Sequence, residues 1–255
     1  MKQFILPDFD NSNNEIVLDK KETHYLKNVL RYKVGEIFTA ADRSGNIWEA
    51  KILRFENRNS AITLCGKREL RPEAAEATKA LPELVLYQCL LKGKKMDIVA
   101  RQAAEAGVAA IVPVESEFAV AKAADGLKEK IARLEKICKE ALQQSGSSVL
   151  TCIKPHIAFM QLARVCKKTE TTVFFHQNSI ENKSLHQYLF SDAERINIIV
   201  GPEGGFSDKE VKFMMENGFL PAFLGKNILR AETAAIYGIA AIKTILLEKE
   251  KWILC

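Results

Sequence analysis

Residues 84–91 form an apolar run broken only by Gln88, and similar runs recur at 109–114, 171–175, 196–200 and 220–224. Continuous rather than alternating hydrophobicity predicts strands covered on both faces, hence a parallel sheet flanked by helices. Met96, Val99, Ala100 and Ala103 recur at helical spacing ahead of Gly107. Leu127, Ile131, Leu134, Ile137 or Cys138, and Ala141 mark a second amphipathic helix, with Gly146 just past its end. Ser207 and Glu210 stand at capping-box spacing, which starts a helix at Asp208. A long helix rich in small residues follows Arg230, with Arg230, Glu232 and Thr233 in its approach.

The first 70 or so residues have another texture. Short runs with β-branched residues and partial alternation lie at 15–18, 35–40, 47–53 and 60–64, with turn signals at 10–14, 43–46 and 56–59. Closely spaced short strands predict a small barrel. Residues 23–31 instead predict a short helix capped by Thr23 or Asp19. Tyr25 or Leu26, Val29 and Leu30 would lie on one face, with Lys27 and Arg31 opposite. Residues 71–77 read as a linker, so the expected division is a barrel domain at 1–72 and an α/β domain at 73–255.

Composition narrows the class. Hydrophobic residues make up 47% of 255, enough for a buried core, and the formal net charge is +5. This mild basicity permits a nucleic-acid partner without demanding one. Residues 1–72 hold seven lysines and six arginines against four aspartates and six glutamates, a local excess of +3. Such a barrel suits RNA docking, because phosphate contacts need only basic groups in an arc. The six cysteines form no CxxC and join no histidine at zinc spacing, so reduced thiols and no metal are expected. The N-terminus lacks signal-peptide character and no run is long enough to span a membrane, which predicts a cytoplasmic protein with no membrane partner.

Candidate chemistry concentrates in residues 196–241. Two strand ends there run into loops with little side-chain bulk. The first is Gly201-Pro202-Glu203-Gly204-Gly205-Phe206 after Val200; the second is Leu224-Gly225-Lys226-Asn227-Ile228-Leu229-Arg230. In open α/β sheets, ligands sit outside the carboxyl ends of the strands. The first loop is neither GxGxxG nor a phosphate loop, so a dinucleotide or nucleoside triphosphate is not indicated. Arg230 works against the dipole of the helix that it precedes, whereas Glu232 suits it. His176 ends the 171–175 run and reads as structural; Trp48 and Phe55 read as barrel core rather than base-stacking platforms. The Lys92, Lys94 and Lys95 cluster follows a strand end and is either a solvated loop or an RNA contact.

GPEGGFSDKE followed by LGKNILRAETAA closely resembles the signature loops of the 16S rRNA uracil(1498)-N(3)-methyltransferase family, of the knotted SPOUT class. The resemblance extends to His24-Tyr25-Leu26, Val29-Leu30-Arg31 and Gly35, to Lys95-Met96-Asp97, to Ala106-Gly107-Val108 with Ile111 and Pro113, and to Gln144-Ser145-Gly146. It implies a PUA-like RNA-binding barrel before an α/β domain with a trefoil knot. It implies S-adenosylmethionine as cofactor, held by Val200, Gly201, Pro202, Glu203, Gly204, Leu224, Gly225, Ile228, Leu229, Arg230, Ala231, Thr233 and Ala234. It also implies a homodimer whose sites are completed by the partner chain, acting on 16S rRNA or the assembled small subunit.

The implied reaction methylates uracil N3, which carries a proton at neutral pH and lies on the pairing edge. Arg230 would stabilise charge on the uracil oxygens, and Glu232 or Glu203 would take the proton or orient Arg230. Lys27, Arg31, Lys92, Lys94 and Lys95 would contact RNA. Three arginine positions of the family differ here: Glu117-Phe118-Ala119, Ser147, and Lys2-Gln3-Phe4. If those arginines grip RNA, affinity here is expected to be lower, or to be carried by Lys122, Lys92, Lys94 and Lys95. A non-catalytic RNA-binding assembly factor on this fold, or a methyltransferase of this class with another RNA target, would use the same loops.

Overall fold

The continuous apolar runs do form one parallel sheet. The computed structural model describes residues 4–7, 9, 15–42, 46–56, 59–67, 81–121, 126–145, 147, 149–180, 183–190 and 193–252. The turn at 10–14, the linker at 71–77, and Lys2, Gln3, Lys122 and Gly146 lie outside these. The chain divides into two units, Met1–Lys79 with Leu142–Leu150, and Ala80–Ala141 with Thr151–Cys255.

In the first unit, strands β1 (Phe4–Ile5), β2 (Ile16–Leu18), β3 (Ile37–Ala41), β4 (Ile47–Phe55) and β5 (Ser60–Lys67) pair in the order β1-β3-β4-β5-β2. All pairs are antiparallel except β1 with β3. Register shifts at Glu49/Ala50 and Ile52/Arg54 in β4 curl the sheet around Phe4, Leu18, Leu26, Phe38, Ile52 and Ile62. Trp48 and Phe55 pack against this core, as expected.

The helix after β2 differs from expectation. α1 (Lys20–His24) begins earlier, capped by Asp19 in a complete capping box with Glu22. Thr23 is buried, its hydroxyl 2.9 Å from that of Ser60. From Tyr25 to Val29 the chain takes a π-helical turn. That wider turn breaks the 3.6-residue period, which keeps Leu26 fully buried but turns Val29 out to solvent. Arg31, just beyond, adopts a left-handed backbone (φ 61°). Lys27 does not project freely: its Nζ stands 5.6 Å from the Phe55 ring centroid.

In the second unit the elements are β6 (Glu83–Cys89), α2 (Lys95–Glu105), β7 (Ala110–Glu115), α3 (Leu127–Ser145), β8 (Cys152–Ile153), β9 (Ile157–Ala158), α4 (Leu162–Val165), β10 (Thr171–Phe175), α5 (Leu185–Tyr188), β11 (Arg195–Val200), α6 (Asp208–Glu216), β12 (Leu220–Ala222) and α7 (Ala231–Trp252). The sheet runs β12-β10-β11-β6-β7-β8, with β9 also on β7, and every pair is parallel. Successive residues face opposite sides. Leu84, Leu86, Ile196 and Ile198 join one core under α2, α3 and α7, while Val85, Tyr87, Cys89 and Ile199 join another under α4 and α6. The strand expected at 220–224 stops at Ala222, and Phe223 and Leu224 belong to the loop after it. Among the described residues, no helix is long and apolar enough to cross a membrane.

Candidate functional site

Parallel pairing places the carboxyl ends of β10, β11 and β12 side by side, with β10 between the other two. The loops that follow them therefore meet. They enclose a cavity of about 430 Å³, in the size range of small-molecule sites.

The first wall is the loop 201–206. Its turn closes with a hydrogen bond from the Gly205 nitrogen to the Pro202 carbonyl at 3.0 Å. Ser207 then caps α6, and Glu210 completes the expected capping box. Glu210 is 5% exposed, yet its carboxylate is satisfied by the backbone N–H of Ser207 (3.0 Å) and that of Glu117 (2.8 Å). The second bond fixes the segment that carries Phe118 across the glycines. A Cβ on Gly204 would lie 3.0 Å from Phe118 Cβ, and one on Gly201 would lie 3.3 Å from the Phe206 ring. Phe206 in turn meets Phe159 and Phe174, ring to ring. Beneath the loop, fully buried Gln88 donates from Nε2 toward the carbonyls of Val200 (3.4 Å) and Gly201 (3.3 Å).

The second wall is the loop 223–230. Gly225 has φ of +116°, a conformation that a side chain would strain. Arg230 stands at the cap of α7, its carbonyl accepting from the Ala234 nitrogen at 2.8 Å. Ala231 and Ala234 keep the first turn of the helix low. Ile228 is 82% exposed at the mouth. Among the described residues, the exposed Arg230 guanidinium has no carboxylate partner.

Glu203 accepts from Lys95 Nζ at 2.9 Å and from the Lys92 nitrogen at 3.1 Å. Burial alone would raise its pKa, but the bonds from Lys95 and from backbone nitrogens outweigh it and hold the carboxyl below the usual range. The buried thiols are no candidates for nucleophiles. Desolvation pushes Cys166 up to about 11 and Cys138 up to about 12. Among the described residues no metal-binding cluster of His, Cys, Asp or Glu forms.

Of the residues expected to hold a cofactor, Val200, Gly201, Pro202, Glu203, Gly204, Leu224, Gly225, Ile228, Leu229, Arg230, Ala231 and Ala234 all line this cavity. Thr233 and Glu232 do not; they stand on the first turn of α7, and Glu232 Oε2 is buried with no hydrogen-bond partner among the described residues. Lys95, expected at RNA, lines the cavity as well. Lys92 and Lys94 are exposed in the turn before it. Sequence reasoning missed Phe175 and Gln177; Gly205, Phe206 and Asn227 lie in the expected loops but outside the expected cofactor set, and His176 read as structural rather than catalytic. His176 does make local bonds, its Nδ1 accepting from the Asn178 nitrogen at 3.2 Å, but it also lines the cavity.

Residues 77–243 match the profile of the RNA methyltransferase domain family, and residues 18–63 that of the RNA methyltransferase PUA domain. Ribosomal RNA small subunit methyltransferase E 2 of Borreliella burgdorferi is 31% identical over 248 residues, covering 96% of this chain and 98% of that one. The chain belongs to the ribosomal RNA small subunit methyltransferase E family. Ribosomal RNA small subunit methyltransferase E of Bacillus subtilis is 27% identical over 229 residues, 87% of each chain. A crystal structure of ribosomal RNA small subunit methyltransferase E from Neisseria gonorrhoeae, bound to S-adenosyl methionine, superposes with a TM-score of 0.81 at 27% identity. That match covers 96% of this chain and 98% of the other. The family's PUA domain falls on the curled sheet and its methyltransferase domain on the parallel sheet.

Proposed function

We propose that this chain transfers a methyl group from S-adenosylmethionine to N3 of a uridine in 16S rRNA, at the position equivalent to 1498. The observation that carries the reading is the meeting of the two glycine loops around one cavity with Arg230 at its rim. Gly201 and Gly204 let Phe206 and Phe118 pack closely on the loop, which fixes the backbone that lines the cavity. Phe175, Val200, Leu224 and Leu229 supply apolar wall for an adenosine, and the loop's backbone groups supply its polar contacts. Similarity to the cofactor-bound Neisseria protein supports the same donor here.

When bound, S-adenosylmethionine supplies a methyl group on a sulfonium, which needs in-line placement rather than a metal. Arg230 faces the charge that develops on the uracil oxygens as N3 loses its proton. The N3 proton would pass to solvent, the N3 anion would take the methyl group, and S-adenosylhomocysteine would leave as the thioether product. Glu203, held ionised by Lys95 and below the usual carboxylate basicity, serves as a tether for the 92–95 turn more than as the base. Glu232, on the first turn of α7 with Oε2 unpartnered among the described residues, is the carboxylate left to take the proton on its way to solvent or to turn toward Arg230 when substrate binds. Lys27 and Arg31 contact RNA from the barrel. A second copy of the chain covers exposed apolar groups such as Ile228 (82%), Tyr237 (54%) and Leu247 (54%) and completes the site.

An N3 methyl blocks the pairing edge and stops reverse transcription. Primer extension on rRNA from a strain lacking the gene should lose one stop that the wild type shows. Read-through in both, with a ribose methyl lost instead, would overturn the N3 assignment.

A further inference from the structure

A second cavity, of about 370 Å³, opens on the other flank of the turn that Glu203 tethers. Its wall is apolar, made by Leu90, Leu91, Met96, Pro113, Ile131 and Leu134. Its rim is cationic: Lys92, Lys94, Lys130 and Arg133. Arg133 pairs with Asp97 at 2.7 Å. Among the described residues, the other three cations have no carboxylate partner.

An apolar pocket under unpaired cations matches a ligand with a flat, weakly polar body and an anionic backbone. We propose that this cavity receives one unstacked nucleotide of the single-stranded RNA substrate, base inward, with flanking phosphates on Lys92, Lys94 and Lys130. The number of cations favours RNA over a single-headed amphiphile: one carboxylate needs one partner, whereas successive phosphates engage several. Among the described residues the wall presents no side-chain hydrogen-bonding group, so the base is held by apolar contact and its identity is not read. The location ties the pocket to catalysis. Lys92 rims this cavity, and its backbone N–H is bonded to Glu203 of the donor loop at 3.1 Å. The inference rests on the chain being an RNA methyltransferase and adds a site for a nucleotide other than the target.

Two variants test it on the full-length protein. Ile131→Trp fills the cavity from α3 while leaving the cations in place. It should weaken binding of a ten-nucleotide oligouridylate with an unchanged salt slope. The surface pair Lys94→Ala/Lys130→Ala should weaken the same binding and flatten the slope of log affinity against log salt by roughly 1.4. Wild-type RNA affinity in both variants, with S-adenosylmethionine still titrating normally, would overturn the pocket alone. Saturable binding of decanoate that the oligonucleotide does not displace would overturn it in favour of an amphiphile. Failure of the wild type to bind S-adenosylmethionine would instead strike at the proposed function.

Discussion

Glu203 Oε1 stands 2.9 Å from Lys95 Nζ, so the glycine loop after β11 is tied to the first residue of α2. The carboxyl titrates below its ordinary range in the folded chain, because the bonds from Lys95 and Lys92 outweigh burial. A depressed carboxylate pKa contributes stability above the unfolded value, which is lost as pH falls through the folded one. The pair is partly exposed and is worth about 0.2–1 kcal/mol. Glu203→Gln should therefore melt below wild type at pH 7, and the gap should close below about pH 4. Calorimetry across that range checks the sign; a gap that widens in acid contradicts it.

Arg230 makes no ion pair among the described residues and stands at the cavity rim, where it is free to meet charge on a substrate. Arg230→Ala should slow single-turnover methyl transfer by about 10²–10³-fold. The dissociation constant for S-adenosylmethionine should stay within about threefold. Parallel loss of both would make the arginine a structural element of the loop.

Gly238 lets α7 lie directly on the sheet. A Cβ there would sit 2.1 Å from Phe175 Cε2, and Phe175 is buried and lines the cavity between the two loops. Gly238→Ala must displace that ring, at about 1–3 kcal/mol. The melting temperature should fall by roughly 2–4 °C per kcal/mol, and donor affinity should fall with it. An unchanged melting temperature would show that the ring moves freely.

Glu210 offers two carboxylate oxygens to two backbone N–H groups, those of Ser207 and Glu117. Glu210→Gln keeps one acceptor and turns an amide N–H toward the other donor. The expected loss is about 1–3 kcal/mol, read by urea unfolding. Release of the 117 segment should also raise the Michaelis constant for the donor, because Phe118 would leave Gly204.

Much of this was legible along the chain. The strand at 171–175 has the expected limits, and Met96, Val99, Ala100 and Ala103 are the buried face of α2. Those readings rest on local period, which burial on both sheet faces preserves. Gln88, the lone polar break in its run, holds up the carbonyls at the end of β11. What stayed hidden depends on pairing between distant segments. Nothing near His176 says that β10 lies between β11 and β12, yet that order alone brings His176 and Gln177 to the cavity. The two-residue strands β8 and β9 are too short to carry a pattern. The π-helical turn at Tyr25–Val29 follows no helical period, so Val29 was expected on the wrong face.

Titration of S-adenosylmethionine into wild type and Ala234→Trp tests the two-loop clasp most directly. Ala234 lines the cavity on the first turn of α7, and an indole there would occupy the space between the loops. Wild type should bind one equivalent per chain, and the folded variant should show no saturable binding. Equal affinity in the two proteins would place the donor elsewhere and contradict the account.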